Sequence, residues 1–128
     1  MEGLLLDTCA FLWLGMGGGK LSENAKMQIS LTPHLYVSTI TAWEIMRKFN
    51  DGGIKLPEVP DLFMKRVCEH FFVDELPLTR GIMFSSASLP MIHKDPADRF
   101  IIATALSHNL AVVTGDGHFA EYGVRVIE

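Results

Sequence analysis

An α/β domain on a doubly wound parallel sheet is the fold this sequence predicts, on three observations. Short apolar runs alternate with helical patches from one end of the chain to the other. The 128 residues fit a single domain, 1–128, and leave little room for a second. No internal repeat, linker or low-complexity tail interrupts the alternation.

Taken in order, Gly3–Leu6 reads as a buried first strand, followed by a short helix over Cys9–Leu14. Ser22 is placed to cap a polar helix running to about Ser30. Leu35-Tyr36-Val37-Ser38 is a second strand, and Ala42, Ile45, Met46 and Phe49 mark the apolar stripe of the next helix. Asn50-Asp51-Gly52-Gly53 stops that helix. Pro60 opens a helix over Asp61–Phe71, and Phe72–Leu76 is a third strand. Thr79 caps a helix toward Leu89, and Asp95-Pro96 opens a strong one to about His108, ended by Asn109. Ala111-Val112-Val113-Thr114 is the fourth strand and Val124–Ile127 a short fifth, giving a sheet of about five strands with helices on both faces.

Composition bounds the function. With 48% hydrophobic and 20% charged residues, an ordinary packed core is expected, and disorder is excluded. No apolar run is long enough to span a bilayer. Met1-Glu2-Gly3-Leu4-Leu5-Leu6-Asp7 lacks a basic start and meets an acid after three leucines, which predicts a strand and not a signal peptide. Cys9 and Cys68 form no CxxC pair and suggest no disulfide framework, so a cytoplasmic chain is expected. The net charge of −4 argues at first against a nucleic-acid partner. Setting aside four of the 15 acids as site residues leaves 11, equal to the 11 basic residues, so local basic patches such as Arg47-Lys48 remain available.

Gly17-Gly18-Gly19-Lys20 resembles a phosphate loop only superficially. Leu14 stands where that loop needs a glycine, Leu21 where it needs Ser or Thr, and the run follows a helix rather than a strand. A flexible loop is expected.

Four acids each have an ordinary explanation. Asp7 suits a helix cap, and Thr41-Ala42-Trp43-Glu44 matches a capping box with Glu44 off the apolar stripe. In Asp95-Pro96-Ala97-Asp98 an N-cap acid precedes a proline and a second acid favoured by the helix dipole. Asp116, in Thr114-Gly115-Asp116-Gly117, suits a turn. Their joint placement predicts more. Asp7 follows strand one, Glu44 sits just after strand two, and Asp116 follows strand four. Asp98 lies in the first turn of the helix that feeds strand four. In a parallel sheet the carboxyl ends of all strands share one edge, where ligands gather. Clustered carboxylates repel unless a cation neutralises them, and an all-oxygen set selects Mg²⁺ or Mn²⁺ over zinc. Such a centre suits phosphodiester hydrolysis.

These residues also carry a resemblance. Leu4-Leu5-Leu6-Asp7-Thr8, Val37-Ser38 with Trp43-Glu44-Ile45, His93-Lys94-Asp95-Pro96-Ala97-Asp98-Arg99 and Val113-Thr114-Gly115-Asp116 together resemble PIN domains. More narrowly, they resemble the VapC toxins of bacterial and archaeal toxin–antitoxin pairs. The match runs from about residue 3 to the C-terminus, and the His-x-Asp-Pro-x-Asp-Arg segment is its most specific part. The resemblance implies a PIN-like domain with strand order 3-2-1-4-5, a Mg²⁺- or Mn²⁺-dependent endoribonuclease acting on RNA, a homodimer and a small VapB-type antitoxin partner. It implies Asp7, Glu44, Asp98 and Asp116 as the catalytic, metal-holding acids. Asp95 matches a further acid of the same pocket, with an N-cap as its alternative role. Thr8 and Thr114 match small hydroxyl residues beside the metal, and Arg99 reads either as a holder of carboxylate or phosphate or as an exposed helix residue. Cys9 departs from the family where many members carry His. An antitoxin would be expected to reach Asp7 and Asp98 with an Arg or Lys, and to dock beside Phe11 and Leu12 unless these pack the core.

The remaining residues have ordinary readings. His34, His70, His93, His108 and His118 show no ligand spacing; Trp13, Trp43 and the methionines are expected in the core. Other functions fit less well. An aspartyl-phosphate phosphatase would want a second Asp two residues after Asp7, where Cys9 stands. A phosphorelay receiver would want paired acids at the first strand end, which Leu6-Asp7 does not offer. A non-catalytic interaction domain leaves the four acids unexplained, whereas a PIN nuclease of RNA processing without an antitoxin accounts for them equally well.

Overall fold

The computed structural model describes residues 3–128; Met1 and Glu2, which entered the reading of the N-terminus, lie outside the described residues. Five parallel strands, β1 (Leu4–Leu6), β2 (Leu35–Ser38), β3 (Val73–Leu76), β4 (Ala111–Val113) and β5 (Val126–Ile127), form one sheet in the order β3-β2-β1-β4-β5. Six helices connect them: α1 (Thr8–Gly15), α2 (Glu23–Leu31), α3 (Ile40–Asn50), α4 (Pro60–Phe71), α5 (Arg80–Ser88) and α6 (Pro96–His108). A 3-10 segment, Gly117–Tyr122, precedes β5.

β1 is central and buried along its whole length, as a strand covered on both faces must be. Leu4 and Leu6 point to one side, where Phe11, Ala25, Ile29, Phe63 and Val67 of α1, α2 and α4 meet them. Leu5 points to the other, against Ile101, Ile102 and Ala105 of α6 and Phe119. The period-two alternation of a strand thus splits the core into two layers. Phe11 and Leu12 belong to the first layer, 0% and 8% exposed, so they pack the core and offer no groove to a partner. Among the described residues no helix is long and apolar enough to cross a membrane.

The predicted caps at Asp7, Ser22, Thr79 and Asp95 all form, each side chain accepting a backbone N–H of the first turn. The capping box at Thr41–Glu44 does not. α3 starts at Ile40 with Thr39 as its N-cap, so Thr41 already lies inside the helix. The buried face of α3 is therefore Thr41, Glu44 and Ile45, while Ala42 and Met46 of the expected stripe are exposed and Phe49 is 36% exposed. Trp43 is 56% exposed, and Met16, Met27, Met46, Met83 and Met91 are exposed as well, contrary to their core reading. Hydrophobicity alone misplaced the stripe because two polar residues of this helix face inward for a chemical reason.

Strand ends also moved. Phe72 is not in β3: it caps α4 in the left-handed conformation, φ 55°, as Asn109 caps α6 at φ 53°. Thr114 and Val124 fall just outside β4 and β5. The glycine run makes the turn after α1, with Gly17, Gly18 and Gly19 all at positive φ. A Cβ on Gly19 would meet the Trp13 ring at 3.0 Å, so the bare backbone lets this turn fold over that ring.

Candidate metal centre

β1 pairs with β2 on one side and β4 on the other, so three strand ends deliver their following residues to one edge. Asp7 leaves β1 as the N-cap of α1, its Oδ1 accepting the Ala10 amide at 2.7 Å and its own amide bonding Val113 O. Asp116 leaves β4 through Thr114, whose hydroxyl accepts the Asp116 amide at 3.1 Å. Glu44 comes from the inward face of α3 and Asp98 from the first turn of α6. All four carboxyls line one open cleft of about 310 Å³, joined by Asp95 and Thr8.

Burial differs sharply among them. Glu44 is 4% exposed, although a glutamate off the apolar stripe would ordinarily sit in solvent. It is held by Thr8, whose hydroxyl donates to Glu44 Oε1 at 2.6 Å. Thr41 completes the chain from 3.0 Å, donating to the Thr8 oxygen whose proton is already committed. Arg47 approaches the outer Glu44 oxygen at 3.9 Å. Asp7 is buried, and among the described residues no cation lies within salt-bridge distance of it.

Electrostatics follow from this packing. Burial pushes the Asp7 carboxyl above its usual range; the Thr114 hydroxyl and Ala10 amide pull it down, and the charges of Glu44 and Asp116 push it up again. Asp98 is pushed up to about 7, first by burial and then by the charges of Asp95 and Glu44, against the opposing pull of His93. Asp116 lies the other way. Its partial burial is outweighed by bonds from the His118 amide and the His93 ring, which hold it below the usual range. The donor set fits a divalent ion: four carboxyls converge, two of them resist ionising as they stand, and every ligand atom on offer from the four is oxygen.

The neighbours expected from the sequence have mixed fates. Thr8 and Thr114 both lie buried beside the acids. Asp95 lines the cleft and also caps α6, its Oδ1 accepting the Ala97 amide at 3.0 Å. Arg99 fits neither of its two readings. It is 8% exposed, and its guanidinium is spent on the carbonyls of Ser86, Leu89, Pro90 and His93. A planar fork of five N–H groups suits several carbonyls at once, and none of the four site acids is among its partners.

Three residues take a place at the site that the sequence did not assign them: Lys48 reads there only as part of a basic patch, Thr41 only as a capping-box residue and His93 only as part of its motif. Lys48 lines the cleft and supplies its cation, and Thr41 joins the Thr8–Glu44 chain. His93 does most to correct the reading of the histidines: its Nε2 lies 2.8 Å from Asp116 and 3.1 Å from Asp98. Its place two residues before Asp95 was visible in the sequence, but the return of the Gly115–Asp116 turn onto its ring was not.

Comparison with known proteins bears on the family and the fold. The PIN domain family model matches residues 4–124. Ribonuclease VapC22 of Mycobacterium tuberculosis (strain ATCC 25618 / H37Rv) is 30% identical over 118 residues, covering 91% of this chain and 88% of that one. Among solved structures, VapBC2 from Rickettsia felis, bound to a DNA fragment from its promoter, superposes with a TM-score of 0.70 at 13% identity, over 98% of this chain and 97% of that one. FitAcB from Neisseria gonorrhoeae gives 0.68 at 23% identity, over 98% and 96%. At these identities the two structures speak for the fold.

Proposed function

The chain belongs to the PIN-domain family, and from that premise we propose that it is a divalent-metal-dependent endoribonuclease, the VapC-type toxin of a type II toxin–antitoxin pair. The observation that carries the chemistry is the convergence of Asp7, Glu44, Asp98 and Asp116 on one cleft. These four would hold Mg²⁺ or Mn²⁺, which when bound polarises a phosphoryl oxygen and makes water a nucleophile near neutral pH. The chain's own groups do the rest. Thr8 and the Ala10 amide fix the directions of Glu44 and Asp7, so neither carboxyl must reorganise during the reaction. Lys48 draws a phosphate toward an otherwise acidic pocket. Trp13, on the cleft wall, offers a face on which an unpaired base can stack.

The VapC relative and the VapBC2 and FitAcB structures support a small VapB-type partner, and the same reading takes the chain to be a cytoplasmic homodimer. An Arg or Lys of that partner reaching Asp7 and Asp98 would silence the cleft by occupying it. The test combines cleavage and growth. Purified chain with Mn²⁺ should cut RNA, chelator should stop it, and Asp7→Asn should abolish cutting with the fold retained. Expression of the chain alone should arrest growth, and co-expression of the adjacent small gene should restore it. Absence of any metal-dependent cleavage would sink the nuclease reading; cleavage with harmless expression would sink only the toxin.

A further inference from the structure

His93 Nε2 and one oxygen each of Asp98 and Asp116 lie within 4.8 Å of one another, a spacing that would also suit a nitrogen ligand to an ion. The hydrogen bonds decide between ligand and donor. The Asp95 amide donates to His93 Nδ1 at 3.1 Å. An imidazole that accepts at Nδ1 carries its proton on Nε2. A protonated Nε2 has no lone pair for an ion; ligating histidines accept the metal on one nitrogen and donate from the other. Here Nε2–H donates to Asp116 Oδ2 at 2.8 Å, and Asp98 Oδ2 lies 3.1 Å from the same nitrogen.

The segment carrying the ring is braced from behind. Arg99 Nη1 donates to Pro90 O at 2.9 Å and to His93 O at 3.3 Å. Nη2 of the same residue donates to Ser86 O and Leu89 O, each at 2.9 Å. The Tyr122 hydroxyl donates to Pro90 O at 2.7 Å and accepts the amides of His93 and Ile92 at 2.7 and 3.1 Å. A buried guanidinium and a phenol thus immobilise a segment outside every helix and strand, and what that segment presents to the cleft is the His93 ring.

We infer that His93 is a positioning residue of the acidic centre, an N–H donor that aims Asp116 beside Asp98 and is itself held by Arg99 and Tyr122. The inference rests on the metal reading above and deepens it. The two carboxyls come from different elements, one from α6 and one from the turn after β4. The His93 donor keeps Asp116 aimed at the place where Asp98 also stands, so an ion need not order it on arrival. His93 acts through the acids and not on the substrate.

The experiment measures ion binding directly, without cleavage. Mn²⁺ is titrated by calorimetry into the full chain and into His93→Ala, His93→Gln and Asp98→Asn, well below each melting temperature and with folding checked by circular dichroism. His93→Ala should weaken Mn²⁺ binding by roughly 10–100-fold, the range for a lost supporting partner. His93→Gln, whose amide offers an N–H, should recover most of it. Nitrogen-15 NMR of the histidine rings adds a readout that survives a misfolded alanine variant: His93 should show protonated Nε2 both with chelator and with saturating Mg²⁺. If the wild-type chain binds Mn²⁺ and His93→Ala binds it equally well, the positioning role is refuted and the metal reading stands. Loss of the Nε2 proton on adding Mg²⁺ would make His93 a ligand and overturn the inference. A wild-type chain that binds no ion at all would instead remove the metal reading beneath it.

Discussion

The hydroxyl of Thr8 donates to Glu44 Oε1 at 2.6 Å, tying the helix after the first strand to the helix after the second. Both groups are buried, so the bond has no water to replace it. Thr8→Val keeps the shape and removes the donor, leaving the Glu44 oxygen and the Thr41 hydroxyl short of a partner. A cost of about 2 kcal/mol is expected, together with weaker Mn²⁺ binding. Thr8→Ser should behave as wild type. Urea unfolding and calorimetry check both, and an undisturbed Thr8→Val would show the bond to be incidental.

Asp98 sets the expected pH dependence. Its carboxyl stands at about 7 in the folded chain, and near 4 once unfolded. Between those values the folded state keeps a proton that the unfolded state has released. This group's contribution to stability is therefore present below about pH 4, is lost as pH rises toward 7, and is constant above that. Asp98→Asn should flatten that slope in melts run with chelator. An ion competes with the same proton, so Mn²⁺ affinity should climb by up to about tenfold per pH unit below 7 and level off above it. An affinity flat from pH 5 to 8 would contradict the shift.

Asp95 and Asp98 stand three residues apart and should separate on mutation. Asn caps a helix about as well as Asp, so Asp95→Asn should keep stability and lose activity only modestly, while Asp95→Ala should cost about 1 kcal/mol. Asp7→Asn, Glu44→Gln, Asp98→Asn and Asp116→Asn should each lower ribonuclease activity by orders of magnitude. A dead Asp95→Asn beside an active Asp98→Asn would reverse the assignment.

Arg99 is expected to matter through structure. Lysine keeps the charge but loses the fork, and cannot serve four carbonyls from one buried point. Arg99→Lys should destabilise by about 3 kcal/mol in denaturant melts. A neutral result would mean that the carbonyls of the 86–93 segment find water instead.

Phe72 is a left-handed residue with a side chain that is 84% exposed. Glycine would relieve the clash between Cβ and backbone at little loss of packing, so Phe72→Gly should stabilise by about 1 kcal/mol. Thermal melts decide it, and a large loss would show that the exposed ring packs more than its accessibility suggests.

Much was legible in the sequence because it is local or periodic. A strand covered on both faces must be apolar throughout, and Leu4-Leu5-Leu6 is. Caps announce themselves by residue type one position before a helix, which made Asp7, Ser22, Thr79 and Asp95 readable. The convergence of acids followed from parallel topology, since strand ends on one edge bring Asp7, Glu44 and Asp116 together. Tertiary structure alone decided the rest. Which face of α3 turned inward depended on Thr8 waiting across the gap for Glu44, a contact 36 residues apart that no hydrophobic period encodes. The direction of Arg99 depended on carbonyls at the end of α5 and in the segment beyond it, and that of His93 on a turn 23 residues away. Side chains are placed by the partners that satisfy their polar atoms, and when those partners arrive from distant strands only the folded chain shows them.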